Sequence, residues 1–328
     1  MQRKWRVTLA IVFALAAVYF FGPAAEPLKY ELPSTQVPNE PKALAAFVQQ
    51  QEAAQPVKPD NEAEIIWAND SIPEKTKYAI VYLPGFSATK NEAAPVHKNV
   101  AKALGVNMYL ARLHYHGLNT AEPFLNFSAE QYWQSAVQAL AIGEQLGDSV
   151  ILMSTSTGGT LALMLCADER INKKIAGNIM LSPNIAINDG AAFLLNNHWG
   201  LQIARMVLGD KYIYSSDQRE DFKKYWYSKY RIEGAVGLQE LIESSMNVST
   251  FKKVKQPMLM LYYYKNDTAQ DKVVKVSAML EMFDRTASEV KVKQALPNAG
   301  DHVLANPIKS NDIEGVQAAI LLFCKRYQ

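Results

Sequence analysis

The sequence is short of the residues that most directly announce a function. It has only two cysteines in 328 residues, Cys166 and Cys324. Neither stands in a metal or Cys-x-x-Cys spacing, and two cannot build a disulfide framework. Both fall in apolar helical patterns, which reads as buried free thiols, with a Cys166–Cys324 disulfide as the alternative outside the cytoplasm. An excess of one charge is missing too. With 34 basic and 32 acidic residues the net charge is +2. That balance excludes a nucleic-acid partner, because counterion release needs a clustered basic face. The densest basic run, Lys252, Lys253 and Lys255, is too short to form one and reads as a solvated face. No His/Cys/carboxylate cluster implies a metal, no cofactor is expected, and no internal repeat is present.

What is present is apolar mass: 49% of residues are hydrophobic, enough for one large core in a single domain of roughly 250 to 270 residues. The N-terminus stands apart from it. Three positive charges between Gln2 and Arg6 precede an uncharged apolar run, Val7 to Gly22, of sixteen residues. A spanning helix wants ~20 apolar residues, with ~17 as the lower limit, and Trp5 brings this run close to that. The pattern reads as an uncleaved signal anchor over residues 1–24, with a cleaved secretory signal as the alternative. Proline in Gly22-Pro23-Ala24-Ala25 makes a poor cleavage site. Positive charge before the run places the remainder outside the cytoplasm, on the periplasmic or extracellular side. Residues 25–60 are Pro-rich and read as a linker, with a short helix around Pro41 to Ala54.

From Ile65 onward β-prone runs alternate with helical stretches. Strands are expected at Tyr78–Leu83, Val106–Leu113, Ser149–Met153, Ile175–Leu181, Pro257–Tyr264 and Val290–Ala295. Helices are expected at Asn91–Leu104, Ser128–Leu146, Thr157–Ala167, Val273–Phe283 and Asp312–Tyr327. Such alternation implies an α/β domain over 61–328, a mostly parallel sheet flanked by helices. Residues 186 to about 252 break the rhythm. They read as a helical cap rich in aromatics (Tyr212, Tyr214, Tyr225, Trp226, Tyr227, Tyr230), which serve cap packing or line an apolar pocket.

The segment Ser149-Val-Ile-Leu-Met-Ser154-Thr155-Ser156-Thr157-Gly158-Gly159 runs from a strand straight into a helix. A turn that sharp strains the central residue and needs small neighbours two positions before and after it. Ser154 and Gly158 meet this around Ser156. Here the chain resembles the α/β-hydrolase family of serine esterases and lipases, whose signature is Gly-x-Ser-x-Gly, with Ser154 in place of the first glycine. The resemblance covers about residues 65 to 328. It implies the α/β-hydrolase fold with a helical cap before the strand that precedes the acid, and a Ser–acid–His order along the chain.

A serine hydroxyl needs an imidazole to take its proton, and the imidazole needs a carboxylate to fix its tautomer. Of His97, His114, His116, His198 and His302, only His302 follows the last expected strand, in Gly300-Asp301-His302. His114 and His116 read as rim or packing residues, since a His-x-His metal pair lacks an evident third ligand. Asp271 and Asp267 both follow the strand Pro257–Tyr264. Asp271 is preferred because Lys272-Val273-Val274 after it resembles the family's Asp-x-Val-Val; Asp267 is the alternative acid. The resemblance implies an oxyanion hole from the N–H groups of Thr157 and Phe86, the latter in Pro84-Gly85-Phe86, with Ser87 or Thr89 as added hydroxyl donors. The expected activity is hydrolysis of a small-molecule carboxylic ester or lipid. The alternatives are a thioesterase, acyltransferase or peptidase on the same residues, or a non-catalytic homologue that binds a lipid or partner. Oligomeric state is not legible.

Overall fold

Apolar runs that do not alternate with polar residues must be covered on both faces. The chain achieves this with a seven-stranded sheet. The computed structural model describes residues 2–23, 28–34 and 36–328. In chain order the first five strands are β1 (Glu64–Ile66), β2 (Thr76–Leu83), β3 (Asn107–Leu110), β4 (Gly147–Thr155) and β5 (Ile175–Leu181). The last two are β8 (Met258–Tyr262) and β11 (Lys291–Ala295), and four further short strands pair two by two outside the sheet. The spatial order is β1-β3-β2-β4-β5-β8-β11. β1 is antiparallel to β3, and every other pairing in the sheet is parallel.

The period-2 pleat splits each central strand between two cores. Ala79, Val81 and Leu83 of β2 with Val150 and Leu152 of β4 face one side, against helices α4 (Ala129–Leu146), α5 (Thr157–Ala167) and α10 (Val276–Arg285). Ile80, Tyr82, Ile151 and Met153 face the other, against α3 (Val96–Leu104) and α11 (Ile313–Cys324). Every residue of α5 is buried, as expected of a helix apolar all round. Leu83 pairs with Ser154 and Thr155 with Leu181, so β2, β4 and β5 end level with one another. Their C-terminal loops therefore open at one edge, where ligands bind in open α/β sheets. The helix expected from Asn91 starts later, at Val96. Pro95 lacks an amide donor, and a 3-10 turn, Lys90–Ala93, occupies the gap.

Between β5 and β8 the cap holds α6 (Gly200–Leu208), α7 (Glu220–Tyr225), α8 (Ile232–Ser245) and α9 (Val248–Phe251). It is not wholly helical. β6 (Tyr212–Tyr214) pairs antiparallel with β7 (Lys229–Arg231), consistent with the strand preference of their Tyr and Ile residues. A further pair, β9 (Tyr264–Asn266) and β10 (Ala269–Gln270), follows β8 directly. Both cysteines are free and buried.

The N-terminal expectation is corrected. Among the described residues no helix is long and apolar enough to cross a membrane. Helix α1 spans Gln2–Phe20, but Arg3, Lys4 and Arg6 take up its start and leave fourteen uncharged residues from Val7 to Phe20. These rise about 21 Å, against a hydrocarbon core of ~30 Å. The transmembrane signal anchor falls, and with it the membrane partner and the placement outside the cytoplasm that rested on it. The end of α1 instead meets the cap: Trp199 donates from Nε1 to the Val18 carbonyl at 3.0 Å, and the His198 ring packs on Tyr19 and Phe20. Residues 24–27, which include part of the expected cleavage site, lie outside the described residues. Within the Pro-rich stretch, helix α2 (Pro41–Ala53) is capped by the Glu40 carboxylate, which accepts the Lys42 and Ala43 N–H groups. α2 buries Leu44 and Val48 on the core, and its Glu52 pairs with Arg112 at 2.6 Å.

Candidate active site

Ser156 joins β4 to α5 with φ 52° and ψ −120°, a conformation that costs a residue bearing a Cβ ~1–3 kcal/mol. Three backbone bonds hold it there. Its N–H donates to the Leu181 carbonyl at 2.9 Å, and its carbonyl accepts from Gly159 at 2.8 Å and Asn184 at 2.9 Å. The close approach expected two residues on is present. A Cβ on Gly158 would overlap the Leu83 carbonyl oxygen, which is backbone and has no room to yield. Gly158→Ala is accordingly expected to lower stability by about 3 kcal/mol or more, read as a fall in the urea midpoint at unchanged slope. The serine at 154, where glycine is usual, is fully buried and its hydroxyl reaches the Ile179 carbonyl at 3.4 Å, so the extra atoms are accommodated.

His302, in the loop after β11, is buried, and its Nδ1 lies 2.6 Å from Asp271 Oδ2. The other carboxylate oxygen of Asp271 accepts the Val273 and Val274 N–H groups at 2.8 and 3.1 Å. Val273 and Val274 are the two valines that made Asp271 the preferred acid in the sequence. Burial opposes ionisation of Asp271, but the facing His302 and the two backbone donors outweigh it and hold the carboxyl below its ordinary range. Burial likewise opposes charging His302, and the Asp271 carboxylate outweighs it, raising the imidazole above 6.5. His302 Nε2 is buried with no hydrogen-bond partner among the described residues. Asp267 is elsewhere: it is exposed at the tip of the β9–β10 pair and accepts from the Tyr264 hydroxyl at 2.8 Å.

Gly85 is packed against the elbow, since a Cβ there would come within 3.0 Å of the Ser156 Cβ. Phe86 follows it, with its ring stacked on Phe124 at 4.4 Å and edge-on to Phe127, Tyr230 and His116. These rings form an aromatic cluster beside the expected oxyanion loop. Thr157 opens α5, so its N–H belongs to the positive end of that helix. Ser87 has φ 67°, and its carbonyl accepts the Tyr227 N–H at 3.0 Å. Thr89 is not available as an added donor, because its hydroxyl is bonded to Asn61 and to the Tyr225 carbonyl. His116 is buried, stacked on Tyr132, and bonded through Nδ1 to the His114 carbonyl; burial pushes it down to about 3 and His114 to about 4, so both stay neutral.

One residue beside the elbow escaped the sequence reading. Glu92, in the 3-10 turn after the Pro84-Gly85-Phe86 loop, is buried, and its Oε2 accepts the Gly85 N–H at 2.6 Å and the Tyr82 hydroxyl at 3.2 Å. In the sequence it stands in Lys90-Asn91-Glu92, indistinguishable from an exposed helix start. The only signal was its closeness to Gly85.

No known protein-family profile and no curated protein matches this sequence. Solved structures do match. One, described as "LipS and LipT, two metagenome-derived lipolytic enzymes", is 17% identical with a TM-score of 0.65, covering 82% of this chain and 99% of its own. A monoacylglycerol lipase from Paleococcus ferrophilus is 13% identical with a TM-score of 0.59, covering 81% and 98%. Est1E from Butyrivibrio proteoclasticus, with ferulic acid bound, is 18% identical with a TM-score of 0.54, covering 81% and 94%. The sheet order, the strained serine between β4 and α5, and these matches agree: the chain has the α/β-hydrolase fold.

Proposed function

We propose that the chain is a serine hydrolase that cleaves carboxylic esters through an acyl-enzyme on Ser156. The observations that carry this reading are the buried His302–Asp271 pair, whose outward nitrogen has no partner among the described residues, and a serine held in a strained turn between β4 and α5. In this mechanism His302 Nε2 takes the Ser156 proton as Oγ attacks the ester carbonyl. Asp271 keeps the other imidazole proton on Nδ1 and stabilises the imidazolium that forms. The Thr157 and Phe86 N–H groups hold the oxyanion. His302 then protonates the departing alkoxide, and water, deprotonated by the same nitrogen, releases the acid and frees Ser156. The choice of ester over thioester or amide is supported by the similarity to the lipolytic enzyme and the monoacylglycerol lipase among the structural matches. The aromatic cluster of Phe86, Phe124, Phe127 and Tyr230 supports an apolar acyl or aryl group.

The test is a p-nitrophenyl ester series of increasing acyl length, run beside a thioester and an anilide of matched chain. Esters are expected to have the highest kcat/KM; a faster thioester or anilide would reassign the substrate class. The acid limb of the pH profile is a second check. His302 must be neutral to accept a proton, and its raised pKa means it protonates at a higher pH than free imidazole. Activity is therefore expected to fall as pH drops through a value above 6.5, and a limb well below it would exclude His302 as the base.

A further inference from the structure

Glu92 is a fully buried carboxylate that the proposed acyl-transfer steps do not use. Among the described residues no Lys or Arg pairs with it, and a carboxylate buried without a cation costs several kcal/mol unless other groups support it. Its supports are specific. Besides the Gly85 N–H and the Tyr82 hydroxyl, the indole of Trp226, in the cap, stabilises its charged form. A Cβ placed on Gly85 would lie 2.9 Å from Glu92 Oε1 and 3.0 Å from the Ser156 Cβ. The carboxylate and the proposed nucleophile therefore both pack closely on Gly85.

The bond to Gly85 has a geometric consequence. Glycine is the residue most free to rotate, and the Gly85 carbonyl shares a peptide plane with the Phe86 N–H. Glu92 pins the N-terminal side of Gly85, and the Ala88 N–H, donating to the Gly85 carbonyl at 3.2 Å, pins its C-terminal side. In a trans peptide the Phe86 N–H then points away from Ala88. We propose that Glu92 is a positioning residue for the hydrolysis: its carboxylate fixes the Gly85–Phe86 peptide as the second oxyanion donor and presents a second negative charge to His302. This rests on the reading of Ser156 as nucleophile.

The charges around the two groups are few. His302 is bonded to Asp271 and lies within electrostatic range of Glu92 and Asp301, and Asp301 is itself paired with Lys309 at 3.2 Å. Glu92 faces His302 and two buried phenols, Tyr82 and Tyr132, whose pKa values burial drives well above the ordinary 10, so both remain neutral. Burial pushes Glu92 itself up to about 7, against the pull of Gly85 and His302. An acid titrating there supports the imidazolium fully only at higher pH.

The test compares the full chain with Glu92→Gln, which keeps the shape and an acceptor for Gly85 but removes the charge. Glu92→Asp keeps the charge and shortens the reach. Histidine-selective NMR reads the His302 titration without turnover, while fluorophosphonate labelling and p-nitrophenyl butyrate hydrolysis read the chemistry. In Glu92→Gln the His302 titration is expected to move down by roughly one pH unit. Its kcat is expected to fall ~10-fold or more with KM within about twofold, as for a loosened oxyanion donor. Glu92→Asp is expected to keep most of the His302 titration and still lose kcat. A His302 titration and kcat in Glu92→Gln equal to the unmodified chain would overturn the role of Glu92, with the Ser156 reading intact. Failure of the unmodified chain to label at all would instead overturn the Ser156 reading.

Discussion

Replacing Ser156 with alanine is expected to abolish fluorophosphonate labelling and to lower kcat on p-nitrophenyl esters by about 10⁴-fold or more. The loss is this large because the remaining parts, His302, Asp271 and the two backbone donors, have no second nucleophile to act on. Ser154, two residues before, is buried with its hydroxyl aimed at the Ile179 carbonyl. The fold is expected to survive, since the backbone bonds of Ser156 to Leu181, Gly159 and Asn184 do not involve its hydroxyl. A companion variant separates chemistry from strain. At φ 52° alanine keeps the Cβ and the strain, whereas Ser156→Gly removes both and is expected to raise stability by ~1–3 kcal/mol while being equally inactive. Labelling that persists in Ser156→Ala would exclude the serine.

Asp271→Asn is expected to cost about 10³- to 10⁴-fold in kcat, and Asp267→Asn less than about twofold. The reason lies in which oxygen faces what. Asp271 Oδ1 receives two N–H groups, from Val273 and Val274, and Oδ2 faces His302. An asparagine has one acceptor oxygen, and the two backbone donors claim it. Its NH₂ then points at His302 Nδ1 and forces the ring proton onto Nε2, the tautomer that cannot accept a proton from serine. Among the described residues the Asp267 carboxylate accepts only the Tyr264 hydroxyl, which an amide oxygen accepts equally well. Parallel kcat measurements on the two variants decide between the acids, and a large loss confined to Asp267→Asn would reverse the assignment.

Much of this arrangement was legible because the chemistry-bearing residues follow strands. β4 ends at Thr155 and β11 at Ala295, and Ser156 and His302 stand in the loops that leave them. A strand's apolar run is easily seen, and the residues just past it inherit that clarity. The acid was less legible. Between β8 and Asp271 the chain inserts the β9–β10 pair, and its residues, Tyr264 to Gln270, are short, polar and without period. Which aspartate reaches His302 depends on how that insertion folds back, which is set by the Asp271 N–H bond to the Tyr263 carbonyl and not by local spacing. Glu92 was illegible for the opposite reason. A glutamate after a loop and before a helix is ordinarily solvated, and only the packing of β2, the elbow and the cap around it takes it out of water. The N-terminal helix was misread because its apolar run lies at the margin where length alone decides, and the charged start of the helix shortened it.

The antiparallel bridge between Ala88 and Trp226 ties the cap to the loop that bears Gly85 and Phe86. This short crossing thus makes the cap and the loop proposed to hold the oxyanion one mechanical unit. For anyone recombining caps among proteins of this architecture to change substrate scope, residues 225–227 travel badly. A graft that breaks this crossing is expected to alter reaction rate as well as selectivity, so the exchangeable parts of the cap lie before Tyr225 and beyond Tyr227.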